Sequence, residues 1–157
     1  MPETQAPQTC PTAATYGPGR MLTRTVCAAL SPVLSRVVRG IAARHPEIFD
    51  RLGPHGQSDF IIAPRELPFA LHLRPDRAAP VLRAVPKASL PPHDARIEGG
   101  FLLLLQLVDA DSDGDAAFFS RDLTITGKTE AGVTLRNALD NVDGSMTAEA
   151  ADLFGRP

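Results

Sequence analysis

The densest group of side chains that could do chemistry is a run of four alternating acids, Asp109, Asp111, Asp113 and Asp115. This spacing resembles the first ligands of an EF-hand calcium loop, which also needs a bidentate glutamate at position 12. Ser120 stands at that position, so the cage would stay open. A short helix from Gly114 to Ser120 explains the acids better, because its N-cap and first turn favour negative charge. We therefore expect no metal site.

The other reactive residue types are scattered along the chain. The four histidines, which show no metal-ligand spacing, are His45, His55, His72 and His93. His72 falls in an alternating segment and is expected to point outward as a surface histidine. No serine lies in a G-x-S-x-G turn, and Cys10 and Cys27 form neither a metal-type spacing nor a disulfide framework. The sequence predicts no catalytic residue and no cofactor, so an enzyme is not expected.

Length and composition are those of one globular domain. The chain has 157 residues, 43% of them hydrophobic, and a formal net charge of −2. No global basic surface for nucleic acid is indicated. The N-terminus lacks a basic region followed by an apolar core, so a cytoplasmic protein is expected.

The sequence of the N-terminal third predicts a tail followed by a helical segment. Residues 1–20 are rich in Pro, Thr and Ala, which predicts disorder, and residues 21–53 form an amphipathic helical segment. Its apolar stripe consists of Leu22, Val26, Leu30, Val33, Val37 and Ile41. Pro32, with Ser31 before it as an N-cap, predicts a kink or two short helices, and a further helix begins at Pro46 and stops at Gly53. The arginines of 22–41 would allow weak contact with an anionic membrane, but packing on the domain is the commoner fate of such a helix.

Residues 54–145 form the main predicted domain, and 146–157 a short C-terminal segment. Alternating or short apolar runs predict strands at 60–63, 69–74, 81–85, 95–98 and 121–126. Helices are predicted at 101–108 and 129–142. Short turns between the strands favour an antiparallel sheet, so the fold class is α+β.

Residues 101–108, FLLLLQLV, are apolar around the whole circumference of the predicted helix. Eight residues are too few to span a bilayer, so both sides of this helix are expected to be hidden from water. One side can face the sheet. The other side needs a cover, which is either another element of the protein or a bound lipid.

Residues 113–140 carry a family resemblance. The matching positions are Asp113, Asp115, Phe118, Phe119, Arg121, Leu123, Ile125, Gly127, Thr129, Glu130, Asn137 and Asp140. This run resembles bacterial lipid-carrier domains of the sterol carrier protein type, most closely the branch represented by the ubiquinone-biosynthesis accessory factor UbiT. The resemblance implies a sheet of about five mainly antiparallel strands, with helices over one face that enclose an apolar tunnel.

The resemblance also implies a function and a ligand. The expected function is non-catalytic lipid binding in ubiquinone biosynthesis, by its oxygen-independent route, with ubiquinone or a prenylated precursor in the tunnel. The alternative is a scaffold of the same fold, with a filled core, that binds other biosynthetic proteins. The expected lining residues are Phe69, Leu71, Leu73, Phe101, Leu104, Leu105, Phe118, Phe119, Leu123, Ile125, Leu135 and Leu139.

Overall fold

A five-stranded sheet forms the centre of the protein. The computed structural model describes residues 18–108, 122–140 and 151–152. The strands are β1 (Phe60–Pro64), β2 (Phe69–Arg74), β3 (Val81–Pro86), β4 (Ala95–Gly99) and β5 (Thr124–Gly127). Their order in the sheet is β3-β2-β1-β4-β5. Only the β1–β4 pair is parallel, so the expected α+β fold with a mainly antiparallel sheet is confirmed.

Four α-helices whose bounds lie within 18–108 and 122–140 accompany the sheet. They are α1 (Pro18–Arg44), α2 (Pro46–Leu52), α3 (Phe101–Val108) and α4 (Thr129–Asp140). The bounds predicted for α2 and α3 are confirmed, and Gly53 ends α2 with a φ of +49°, a conformation that glycine adopts readily. The predicted tail (1–20) overlaps the start of α1, and residues 1–17 lie outside the described part. Most of the predicted segment 146–157 also lies outside it.

The register of the strands divides the sheet into two unlike faces. Phe60 pairs with Leu73 and Ala95, so their side chains share the face that α2, α3 and α4 cover. Ile61 and Ala63 point to the opposite face, where Leu90 of the β3–β4 connection packs against them. The central strand β1 is therefore buried on both sides, which explains why its apolar run does not alternate with polar residues.

α1 lies along the outer edge of β3 and protects that edge. The hydroxyl of Ser31 accepts a hydrogen bond from the backbone N–H of Ala84 at 3.2 Å. The hydroxyl of Ser35, one turn later, donates to the carbonyl of Leu82 at 3.2 Å. An exposed strand edge is a template for unwanted pairing, so these two serines satisfy groups that would otherwise be open.

Of the two alternatives expected at Pro32, two short helices are wrong, because α1 runs without a break through that proline, and a kink stays a prediction. Proline removes the hydrogen bond to the carbonyl of residue 28. Ala28 and Pro32 are both exposed, so water can reach this carbonyl. Ser31 is not an N-cap; its hydroxyl donates to the carbonyl of Cys27 at 2.7 Å.

α1 is also the one helix within 18–108, 122–140 and 151–152 that is long and apolar enough to span a bilayer, over Gly19–Arg44. Cys27, Val37 and Val38 are nevertheless buried in the protein. Together with the bonds from Ser31 and Ser35 to β3, this burial makes α1 part of the domain. The predicted packing of the apolar stripe on the domain holds for only part of the stripe, because Val37 is buried whereas Leu22 is 69% and Val26 43% exposed. Contact with an anionic membrane stays a prediction.

Candidate functional site

The apolar helix α3 is covered on one side only. Leu104 is buried in the main core, but Leu102 is 73% exposed, Phe101 42% and Leu105 39%. The part of the protein that the structure describes leaves this second side of the helix partly open, and the expected cover by a bound lipid stays a prediction. The physical reason is geometric: a single helix offers one face to the sheet and to α4, and leucines elsewhere on its circumference face outward. We call Phe101, Leu102 and Leu105 the α3 apolar face.

The start of α3 is held by a residue from a distant turn. The carboxylate of Glu66, between β1 and β2, accepts a hydrogen bond from the backbone N–H of Phe101 at 2.8 Å. Hydrogen bonds from its own backbone N–H and from that of Phe101 lower the pKa of Glu66. A Cβ on Gly100 would lie 3.4 Å from the Glu66 carboxylate, so the small residue leaves room for this cap. The sequence shows no local cap because the capping group comes from the turn after β1, the parallel neighbour of β4, the strand that leads into α3.

Beneath the α3 apolar face lies a core to which several predicted lining residues contribute. Leu104 and Leu135 are buried in it. Four further candidates pack partly buried against the same cluster: Leu73, Leu123, Ile125 and Leu139. Phe69 and Leu71 are partly buried and share the helix-covered face of β2 with Leu73. Phe118 and Phe119 lie outside the described residues, so their place in the site stays a prediction.

The sequence reasoning missed part of this cluster. Ile48 and Leu52 of α2 are buried in it, as are Phe60, Ile97 and Ala131. Phe60 begins the predicted strand 60–63 and Leu52 lies in the helix predicted to stop at Gly53, but short apolar segments carry no information on which distant element they meet. Leu102 was missed as a surface residue for a related reason, because four consecutive leucines do not reveal which one faces the sheet.

The opposite face of the sheet carries a polar network centred on His72. This residue is only 6% exposed, so its expected surface position is wrong. Its Nε2 lies 2.7 Å from Asp59 Oδ1, and its Nδ1 accepts a hydrogen bond from Arg83 Nε at 3.1 Å. Alternation correctly places His72 opposite Leu71 and Leu73, but neighbouring charged side chains cover it. With both ring nitrogens engaged, His72 has a structural role in this arrangement.

Asp59 connects this network to the strands around it. Arg74 Nε donates to Asp59 Oδ1 at 3.0 Å, and the backbone N–H of Asp59 donates to Asp94 Oδ2 at 3.0 Å. Burial acts to raise the pKa of Asp59, but the hydrogen bonds from Arg74 and His72 hold it below its ordinary value. The pKa of Asp94 is also lowered, chiefly by the hydrogen bond from Lys128 at 2.7 Å. The network fixes the ends of β1, β2 and β4 near the start of α4.

Two grooves border α1, away from the α3 apolar face. The larger groove, about 840 Å³, lies between the first turns of α1 on one side and Pro68 with residues 86–89 on the other. The smaller, about 570 Å³, lies between the second half of α1 and residues 77–81. None of the ten expected lining residues that the structure describes borders either groove. An apolar tunnel among those residues therefore stays a prediction.

The acidic run 109–115, whose spacing resembles the start of a calcium loop, lies outside the described residues. Within 18–108, 122–140 and 151–152, no three His, Cys, Asp or Glu side chains come together as a metal site. The expectation that calcium plays no part is therefore not tested by this geometry.

Comparisons with known proteins give similarity in architecture alone. No family model matches the chain, and no curated protein matches its sequence. Among solved structures, the UbiJ-SCP2 ubiquinone synthesis protein is 13% identical with a TM-score of 0.46, covering 80% of this chain and 94% of that one. Apo sterol carrier protein 2 from Yarrowia lipolytica is 12% identical with a TM-score of 0.45, covering 74% and 94%. A sterol carrier protein domain of Helicoverpa armigera is 9% identical with a TM-score of 0.46, covering 84% and 99%. Similarity at this level transfers neither a ligand nor an activity.

Proposed function

We propose that this chain is a non-catalytic lipid-binding accessory factor that works in the cytoplasm. The observation that carries the proposal is the α3 apolar face, where Phe101, Leu102 and Leu105 are exposed beside the main core. Neighbouring large apolar side chains on a soluble domain commonly mark a binding surface. A lipid tail that lies along α3 would remove these side chains from water.

The expected ligand is an isoprenoid quinone or a prenylated precursor. An isoprene unit has five carbons, and burial contributes roughly 0.8 kcal/mol for each apolar carbon, or about 4 kcal/mol for each unit. Association costs about 4–15 kcal/mol in lost freedom of motion, so a tail of several units is needed to bind well. A polyprenyl tail satisfies this requirement without any polar anchor. The assignment to ubiquinone biosynthesis, by the oxygen-independent route, rests on the resemblance of residues 113–140.

A carrier of this kind helps because the tail is insoluble whereas the chemistry takes place on the ring. If α3 shields the tail, biosynthetic enzymes can reach a ring that projects from the protein. The biosynthetic enzymes would supply the reactive groups, so the site on the carrier itself can consist of apolar side chains.

The second candidate function is a scaffold that binds other ubiquinone-biosynthesis proteins. The observation that favours it is the burial of Leu104 and Leu135, two expected lining residues, inside a packed core. In this alternative, the α3 apolar face contacts an apolar surface of a partner protein.

Extraction of the purified protein with organic solvent, followed by mass spectrometry, separates the two functions. The carrier should release a quinone or prenylated phenol in a fixed ratio to protein. Protein that is folded, contains no lipid, and takes up none from quinone-loaded vesicles would contradict the carrier and leave the scaffold.

A further inference from the structure

The larger groove beside α1 is a second candidate site, separate from the α3 apolar face. Its cationic lining residues come from two parts of the fold, Arg20 and Arg24 from α1 and Lys87 from the loop after β3. Among the lining residues that belong to the described part of the chain, none is acidic. Its volume of about 840 Å³ lies within the usual range of small-molecule sites, about 300–1,000 Å³.

The charged side chains that line this groove in the described part of the chain are all cationic, and the nearby Glu66, which interacts with Lys87, lies outside the lining. The 27 residues of α1 include five arginines and no acidic residue. Arg24 is exposed and forms no hydrogen bond or ion pair within the described part of the chain. Lys87 Nζ donates to the backbone carbonyls of Pro64 and Arg65, which holds the ammonium group in place and leaves one of its three N–H donors available. These cations favour an anion as the occupant.

Apolar surface adjoins the cations. Met21 lines the groove and is 68% exposed, and Pro68, Pro86 and Ala88 form other parts of its wall. Leu22, beside Met21 on α1, is 69% exposed. A small hydrophilic anion would leave this surface in water, whereas an anion with an attached chain would cover it.

We propose that this groove binds an amphiphilic anion, in which a phosphate or carboxylate head contacts Arg24 and Lys87 and an apolar chain lies against Met21. The head is held by charge and hydrogen bonding, and the chain by removal of apolar surface from water. The inference does not depend on the lipid site at α3, because the two sites share no lining residue.

The test uses the full chain labelled with ¹⁵N and titrated with dodecyl phosphate below its critical micelle concentration. Amide shifts are expected in residues 20–24 and 87–89. Arg24→Gln should weaken binding about two- to fivefold, the range for one exposed charge contact. The matched control is Arg36→Gln, which removes an exposed arginine of the same helix that does not line the groove, and it should leave the affinity unchanged.

Three results would overturn the proposal: equal binding of uncharged dodecyl maltoside, equal loss of affinity in the two arginine variants, or shifts confined to α3. A flotation assay with phosphatidylcholine vesicles, with and without phosphatidylglycerol, identifies the source of the head group. Binding that depends on both phosphatidylglycerol and Arg24 identifies a membrane lipid. Binding of the monomeric phosphate alone identifies a soluble amphiphile, and either result supports the site.

Discussion

The double substitution Leu102→Gln with Leu105→Gln tests whether the α3 apolar face binds lipid. Leu102 is 73% exposed and Leu105 39%, so the change should alter the free energy of unfolding by less than about 0.5 kcal/mol for each residue. Glutamine and leucine have similar helix propensity, so α3 itself should persist. Folding and binding can therefore be measured separately in this variant.

The expected loss of lipid affinity follows from the exposed surface. The two side chains together leave about as much surface open as one whole leucine, and burial of a leucine contributes about 1.5–3 kcal/mol. If a lipid tail covers both residues, their replacement should weaken binding by a factor of about ten to about one hundred. The assay is the amount of quinone per protein after purification and solvent extraction, together with thermal melting of the same sample.

A matched control comes from α4. Val133 is apolar and 36% exposed, so Val133→Gln introduces the same side chain at an apolar surface position outside the α3 apolar face. It should leave the lipid content at the parental value. A folded double variant that retains as much lipid as the parent would refute the assignment of this face, and equal losses in Val133→Gln would show that the measurement does not report on α3.

Three other expectations concern the same region. Leu104→Trp should lower the free energy of unfolding by about 1–3 kcal/mol through overpacking, whereas Leu105→Trp should change it little. Equal melting temperatures of the two variants would contradict the orientation of α3. Because the folded pKa of Glu66 is lowered, its cap on Phe101 should stabilise α3 at neutral pH and be lost as the pH falls through that lowered value. The protection of the α3 amides against hydrogen exchange, taken relative to the intrinsic exchange rate at each pH, should therefore fall in acid in the parent but not in Glu66→Gln, and identical profiles would argue against the cap. Calcium should leave the melting temperature unchanged in the parent and in Asp111→Ala, and a calcium-dependent rise of several degrees would show that the acidic run binds the ion.

Local periodicity predicted most of the described fold because the two relevant patterns lie within short stretches of sequence. Phe69, Leu71 and Leu73 alternate with other residues, and this pattern placed β2 correctly. The start of β5 at Thr124 rather than Arg121 is a smaller difference. Arg121 itself lies outside the described residues.

Contacts between distant segments could not be predicted in this way. Glu66 caps α3 across 35 positions of sequence, and Ser31 contacts Ala84 across 53. His72 has the correct orientation in β2, but its burial depends on Asp59 and Arg83, which come from other parts of the chain. For Ser31 and His72 the residue type suggested a local role, a helix cap and a surface group respectively, and a distant partner determined the actual one.

The way in which α3 is anchored also bears on how its ligand would be bound. Leu104 attaches the helix to the core, and Glu66 fixes its first turn, so the exposed side chains are presented by an ordered element. The side chains of Phe101, Leu102 and Leu105 have no polar group that could bind a particular atom of the ligand. Dispersion and the hydrophobic effect do not require such a group. Affinity should therefore fall gradually as individual apolar side chains are removed, and it should rise with the number of isoprene units. A scaffold interface would behave differently, because its affinity for a protein partner would not depend on the length of any lipid tail. Binding measured over a series of prenyl chain lengths thus distinguishes the two functions by a trend as well as by a single substitution.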